Sequence, residues 1–252
     1  MLRVLVSSLC LCLYLLPVHA QVNPEGLALY LSFDENQGKV ANDQSPFGNH
    51  ATFKGNAKWA VGVFNSGVEL GVGSWLVVED DDSLDLSTKM TLSMWVKTKP
   101  SGDNQSGIEK EAGWQAGEYN LLPEFGGGVL LQMQELPEVC NDEAIGRNVL
   151  DDAWHYIAGT WDGKTIRIYV DGEETKSLAC QGEVSAGGGA LYIGSRGGSQ
   201  RWVPGFIDEV KVYSRALAAE EIQADMENPT INLAVTVKDK AAIIWGKLKT
   251  EF

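Results

Sequence analysis

Residues 205–213 read GFIDEVKVY and set a carboxylate inside an apolar pattern. On a strand, side chains alternate with period two. Phe206, Asp208, Val210 and Val212 then share one face, and Ile207, Glu209, Lys211 and Tyr213 the other. A carboxylate among apolar neighbours is costly unless something compensates its charge. Three partners suit Asp208: a metal ion, a row of backbone N–H groups, or a basic side chain such as Arg215.

Other chemistry-bearing arrangements are scarce. Glycoside hydrolysis with retention needs two carboxyl groups about 5–5.5 Å apart. On a strand that means acidic residues two or four positions apart. The run VLLQMQELP offers Gln132 and Gln134 on one face instead, and amides do not transfer protons at neutral pH. Glu135 and Glu138 follow in a segment read as a loop around Pro137. No serine–histidine pairing or cysteine nucleophile stands out, so the chain is read as a non-enzyme. The run EDDDSLD at 79–85 lacks the glycine and spacing of a calcium loop and reads as a solvated strand end. His50 and His155 stand far apart and no second cysteine pair exists, which disfavours zinc.

Binding is the better-supported chemistry. Of eight tryptophans, Trp95, Trp154 and Trp161 fall in apolar strand patterns and read as core. Trp114, in EAGWQAGEY, and Trp202, in GSQRWVPGF, lie in glycine-rich connections with polar neighbours. An exposed ring there can stack on the apolar face of a sugar while polar side chains bond its hydroxyls. Trp114, Tyr119, Arg196 and Trp202 are therefore the candidate ligand contacts, with Glu118, Gln200 and Arg201 close by. The plainer alternative is that each tryptophan lids its own stretch of core.

Short strand-like runs separated by Gly, Asp and Asn must position these residues. They include LALYLSF, MTLSMWVKT, VLLQMQ, WHYIAGTW and TIRIYVD. Their number and turn signals predict an all-β sandwich or barrel. Asp162-Gly163 between two β-rich runs predicts a hairpin. One helix is expected in SRALAAEEIQADME, with Ala218 a poor cap.

The chain begins MLRVLVSSLCLCLYLLPVHA: a basic start, an apolar run and a small residue at Ala20. That reads as a signal peptide over 1–20, and the apolar run is short for a membrane anchor. Cleavage removes Arg3 and leaves a chain more acidic than the full-length net charge of −14. Such a chain has no footprint for nucleic acid and is repelled by anionic membranes, but it suits cations. Cleavage also removes Cys10 and Cys12. Cys140 and Cys180 remain, with one possible pairing in an exported protein; two separate buried thiols are the alternative. One domain is expected over 22–228. A tail over 229–252, richer in Lys than in Asp or Glu, reads as an added strand and helix, a sorting segment or a frayed end.

Four stretches together resemble the LamG-like jellyroll domains of the concanavalin A-like lectin/glucanase superfamily. They are LYLSFDENQGKVANDQSPFGNHATF, SWLVVEDDDSLDLSTKMTLSMWVK, WHYIAGTWDGKTIRIYVDGEE, and LYIGSRGGSQRWVPGFIDEVKVYSRALAAEEI. The resemblance covers roughly residues 26–225 and implies two antiparallel sheets packed as a jellyroll with one short helix after the last strand. It also implies a structural calcium ion held by Asp34 and Asp208, with carbonyl oxygens from Gly48 or Asn49. The hydrolase branch's Glu-x-Asp signature followed by Glu is missing. The expectation is a secreted or cell-surface binding module for a glycan or glycoprotein. The alternative is a structural or adhesive domain whose partner is another protein. The fold alone does not choose between them.

Overall fold

The computed structural model describes residues 24–227. The segments read as a signal peptide (1–20) and a tail (229–252) lie outside the described residues. In chain order the strands are β1 (Leu27–Leu31), β2 (Val40–Ala41), β3 (Ala51–Gly55), β4 (Lys58–Val61), β5 (Ser66–Leu70), β6 (Ser74–Val78) and β7 (Met90–Thr98). They continue with β8 (Ile108–Lys110), β9 (Tyr119–Phe125), β10 (Gly128–Met133), β11 (Trp154–Trp161), β12 (Thr165–Val170), β13 (Glu173–Ala179), β14 (Leu191–Ile193) and β15 (Gly205–Tyr213). Helix α1 is Glu138–Glu143 and helix α2 is Ala219–Glu227, with a 3-10 turn at Asp82–Leu84. The loop expected around Pro137 is thus partly helical.

Two antiparallel sheets face each other. The first, of eight strands, runs β13-β12-β11-β7-β15-β5-β4, with β1 also on β15; the second, of seven, runs β10-β9-β8-β14-β6-β3-β2. Alternate residues from both inner faces fill the space between them, among them Leu29, Leu92, Met94, Ile157, Ile207 and Val212 from the first and Leu76, Ile108, Leu121, Leu131 and Ile193 from the second. This is the jellyroll sandwich that the strand pattern and the resemblance lead one to expect. The expected Asp-Gly hairpin joins β11 to β12, with Gly163 at φ +91°, a conformation that favours glycine.

β15 is the junction of the first sheet. Along one edge its whole length pairs with β7. Its other edge pairs with β5 through Gly205–Ile207 and with β1 through Val210–Tyr213. Where the neighbour changes, the strand carries an extra residue. Asp208 lies opposite Trp95 and Lys211 opposite Ser93, and Glu209 adopts φ +53°. The bulge overturns the period-two assignment of faces. Ile207, Val210 and Val212 enter the core, whereas Phe206 contacts Trp154 on the opposite face. Asp208, opposite the outward Trp95, lies on that outer face too. It does not share a face with Val210 and Val212.

The partner of Asp208 is backbone. Its Oδ2 accepts the N–H groups of Val63 (2.9 Å) and Phe64 (3.0 Å), in the turn between β4 and β5, and its Oδ1 accepts the Glu209 N–H (2.9 Å). A Cβ on Gly62 would collide with Oδ2, so the close approach of that turn needs glycine. Arg215, the basic alternative, instead pairs bidentately with Glu221, at 2.7 and 2.8 Å. Glu221 also accepts the Ala218 N–H (3.0 Å), which supplies a return bond at the poorly capped helix start.

Helix α2 covers the outer face of the first sheet, where Leu27, Tyr30, Tyr156, Tyr169, Tyr213, Leu217 and Ile222 form a second apolar cluster. Inside it, buried Asp225 receives four donors: Lys211 Nζ (2.9 Å), Tyr213 OH (3.1 Å), Tyr156 OH (2.7 Å) and Ser93 Oγ (3.0 Å). Lys211 also stands over the Tyr30 ring, 4.9 Å from its centroid. Asp80 and Asp85 of the acidic run clasp the buried Lys110 ammonium at 2.5 and 2.9 Å. That run is therefore partly a buried ion pair, not simply a solvated strand end.

Truncating Asp208 to Ala strands three N–H groups that the fold has taken from water. It is expected to lower unfolding free energy by about 2–4 kcal/mol in denaturant titration; an unchanged midpoint would contradict this role. Burial pushes Asp208 up to about 7 from 3.8 and Glu209 up to about 8 from 4.5, with the neighbouring Asp34 charge adding to the first and Lys211 opposing the second. Both groups hold protons more tightly when folded. Their contribution is full below the unfolded values and is lost as pH rises through the folded ones. The melting temperature in chelator-containing buffer is expected to fall between about pH 5 and about pH 8; a rise across that interval would refute the assignment.

Candidate functional site

The site begins on the outer face of the second sheet. Cross-strand partners place Gln132, Asn120, Glu109, Tyr192, Val77 and Thr52 on one rung, from β10 through β9, β8, β14 and β6 to β3. Their chain neighbours Leu131, Leu121, Ile108, Ile193, Val78 and Phe53 point into the core, so this rung points outward. At the β8–β10 end it is polar, yet Glu109 and Asn120 are fully buried and Gln132 nearly so. Loops 111–118 and 194–204 and helix α1 roof it.

Arg196 is the centre of that buried layer. Its Nε lies 3.2 Å from Glu109 Oε1 and its Nη2 3.2 Å from Glu118 Oε1. Glu118 precedes β9, so one guanidinium ties together two carboxylates from separate segments. Ser106 Oγ stands 3.1 Å from Glu109 Oε2 and 3.0 Å from Asn120 Oδ1. Burial raises both glutamates well above the ordinary carboxylate range. The Glu118 charge raises Glu109 further, while Arg196 pulls both back. The strand-by-strand search for paired carboxylates missed Glu109 because its partner lies outside its own strand. Its stretch reads as loop-rich, and the two-residue spacing of Glu109 and Glu111 in SGIEKE is the signal that could have found it.

Above this layer opens a cavity of about 520 Å³, lined by Trp114, Phe125, Gln132, Gln134, Leu136, Glu138, Asn141, Asp142, Arg196 and Arg201. Trp114, about half exposed, supplies an aromatic wall. Its loop is anchored from both ends. Glu111 accepts the N–H groups of Gly188 (2.6 Å) and Gly189 (2.7 Å), and Glu135 accepts those of Gly117 (3.0 Å) and Ser185 (2.7 Å). Helix α1 is the opposite wall. Asn141 accepts the Met133 N–H (3.0 Å) and donates to the Leu136 carbonyl (3.2 Å), which fastens α1 to the end of β10. A disulfide between Cys140 on α1 and Cys180 after β13 closes a separation of 40 residues, with Cα atoms 5.7 Å apart. The pairing expected from the cysteine count is present, and it staples the cavity wall.

The cavity surface is unsatisfied. Gln132 Oε1 and Arg201 Nη1 are buried and have no hydrogen-bond partner, and one end of the neighbouring Asn120 amide is equally unpaired. Buried polar atoms of this kind are rare in folded proteins, and each calls for a water, an ion or a ligand. An amide and a guanidinium in the lining of one cavity suit a molecule rich in hydroxyls, each of which both donates and accepts.

The candidate ligand contacts divide. Trp114 and Arg196 line the cavity. Tyr119 does not: it is fully buried, and its hydroxyl donates to the Leu84 carbonyl (2.9 Å). Its place at the start of β9 turns it into the core, which corrects the sequence reading. Trp202 packs against Trp75 with ring centroids 5.7 Å apart and is absent from the cavity lining. Of the three strand tryptophans, Trp161 is a core residue, while Trp95 and Trp154 pack on the outer face of the first sheet.

The calcium candidates also divide. Asp34 and Asp208 meet at the β4–β5 turn, where Asp34 accepts from Asn65 Nδ2 (3.3 Å) and Ser66 N (3.5 Å). Gly48 and Asn49 lie at the other end of β1. The Asn49 N–H bonds Asp43 (2.8 Å) and its amide donates to the Ala28 carbonyl (2.9 Å) and to Ser83 Oγ (2.8 Å). The aspartate pair suits a hard cation in charge and donor type; the Gly48–Asn49 loop does not join it. Among the described residues no three His, Cys, Asp or Glu side chains cluster as metal ligands.

A family model described as the concanavalin A-like lectin/glucanase superfamily matches residues 70–223. No curated protein sequence matches the chain. Among solved structures, domain 4 of AbnA, an extracellular arabinanase from Geobacillus stearothermophilus solved with arabinotriose, is similar. The TM-score is 0.60 at 21% identity, over 78% of this chain and 96% of that one. The botulinum neurotoxin type C structure, from work on its interaction with two ganglioside molecules, aligns with TM-score 0.63 at 11% identity, over 81% and 52%. The botulinum serotype D ligand-binding domain, solved with N-acetylneuraminic acid, gives 0.59 at 15%, over 81% and 51%. The chain thus spans about half the length of the toxin binding domains. At these identities the likeness is one of fold. With the family model matching more than half of its residues, this chain belongs to the concanavalin A-like lectin/glucanase superfamily.

Proposed function

We propose that this domain is a non-catalytic carbohydrate-binding module whose sugar sits in the cavity between Trp114, Gln132, Arg201 and helix α1. The observation that carries this reading is one cavity lined by an aromatic wall, Trp114, and by two incompletely paired polar side chains, Gln132 and Arg201. The similar structures support it: one is solved with arabinotriose and another with N-acetylneuraminic acid. Catalysis is not favoured: Glu109 and Glu118 are fully buried and do not line the cavity, and the two acids that do, Glu138 and Asp142, stand one turn apart on the same wall, α1, instead of flanking a bond. A general acid must come within hydrogen-bond reach of the glycosidic oxygen.

Export belongs to the same reading. The disulfide suits an oxidising compartment, and the similar arabinanase is extracellular. Among the described residues no helix is long and apolar enough to cross a membrane.

Trp114→Ala is expected to weaken binding to a responsive glycan about tenfold in calorimetric titration while leaving the melting temperature unchanged, since the ring is half exposed. Trp202→Ala is expected to lower stability through lost contact with Trp75 and to change affinity less. Equal affinity of Trp114→Ala and the parent for every glycan bound would place the sugar elsewhere.

Calcium enters the proposal at the Asp34–Asp208 pair alone. A divalent ion there would offset the repulsion between the two carboxylates and tie the end of β1 to β15. Millimolar calcium is expected to raise the melting temperature and chelator to reverse it, and Asp208→Ala to abolish the response. Identical melting curves with and without calcium would remove the ion from this reading.

A further inference from the structure

We infer that the sugar this cavity accepts carries a carboxylate, seated on Arg201. This rests on the cavity reading above and narrows it from hydroxyl-rich ligands to acidic sugars.

Arg196 and Arg201 are the two cations of the cavity. Arg196 is committed to Glu109 and Glu118. Among the described residues Arg201 has no ion-pair partner, and its Nη1 is buried without an acceptor. Its backbone is fixed in place: its carbonyl accepts the Ser106 N–H (2.8 Å), and the residue holds φ +51°, a left-handed conformation unusual for a non-glycine residue. The guanidinium is therefore delivered to the cavity by the frame of the second sheet and not by a free surface loop.

Charge balance supports the same ligand. Two glutamates share one arginine, Arg196, in the buried layer. Burial raises the proton affinity of both glutamates and Arg196 opposes it, so the charge of that pair is matched by Arg196 and leaves Arg201 without a carboxylate of its own. Asp103, Glu109 and Glu118 act on Arg201 at longer range, but none forms an ion pair with it. A carboxylate is the planar, two-oxygen acceptor that a guanidinium fork bonds best. The opposite wall is acidic, with Glu138 and Asp142 on α1. A chain charged at every sugar would meet that wall, whereas a single terminal acidic sugar, with its carboxylate turned to Arg201 and its ring to Trp114, would not.

Calorimetric titration of the full chain with matched oligosaccharides tests this. The probes are one ending in glucuronic acid, its methyl ester, its glucose-terminated counterpart, the 6-sulfated form of that counterpart, and an oligosaccharide ending in N-acetylneuraminic acid. The glucuronic or N-acetylneuraminic acid probe is expected to bind at least about tenfold more tightly than the ester and the glucose form. Which of the two acids binds better identifies the source of the carboxylate. Arg201→Gln is expected to collapse the acid-to-ester ratio to near one, and Arg201→Lys to keep part of it, with melting curves confirming that both variants fold. Equal binding of acid and ester, sulfate binding as tight as carboxylate, or an undiminished ratio in Arg201→Gln would overturn the inference and leave the cavity reading standing. Failure of every sugar to bind would overturn the cavity reading and this inference together.

Discussion

One strand has to satisfy three neighbours. β15 pairs along one edge with β7 and along the other with β5 and then β1, so its backbone partners change halfway. A regular strand would leave the N–H groups of the β4–β5 turn facing no acceptor at that point. The extra residue at Glu209 and the carboxylate of Asp208 fill the gap. The bulge keeps Ile207, Val210 and Val212 in the core on either side of the irregularity. The gain is that both ends of the domain meet on one strand; the cost is two buried acidic groups with raised proton affinity.

The two sheets spend their outer faces differently. On the first, α2 lays aromatic and aliphatic side chains over the sheet, and the buried charges beneath it, Lys211, Glu209 and Asp225, are supported by tyrosine hydroxyls and one another. Asp225 receives four donors there, although Trp95 Nε1 and Glu209 Oε2 on the same face lack hydrogen-bond partners. On the second, the polar rung at β8–β10 is buried but incompletely paired. A half-satisfied polar layer costs stability unless a ligand or water completes it. What sets the second face apart in the proposed reading is that its incompletely paired residues line a cavity walled by a half-exposed tryptophan, Trp114.

The walls of the cavity are held by means independent of its floor. Trp114 depends on a glutamate at each end of its loop, and α1 depends on Asn141 and the Cys140–Cys180 bridge. A bridge closing a loop of about 40 residues is worth roughly 4 kcal/mol by restricting the unfolded chain. Six residues of helix are too few to stand alone, so the covalent tie is what makes α1 a wall.

The order of strand-like runs, the Asp-Gly hairpin, the cysteine pair and the helix after the last strand were all legible in the linear chain, because each depends on residues close in sequence or on a count. So was the tendency of Trp114, in a glycine-rich loop, to stay exposed. What the chain by itself could not decide was orientation and company. Period two misassigned Asp208 because a bulge is a property of how β15 meets its neighbours, not of its own residues. Tyr119 looked like a loop residue until β9 was seen to start at it and turn it inward. Glu109 and Glu118 became a pair, and Arg196 their common partner, only when β8, the approach to β9 and the loop after β14 were packed together. Local residue types determined the elements; long-range packing, which alone sets which groups lose water and beside whom, decided the site.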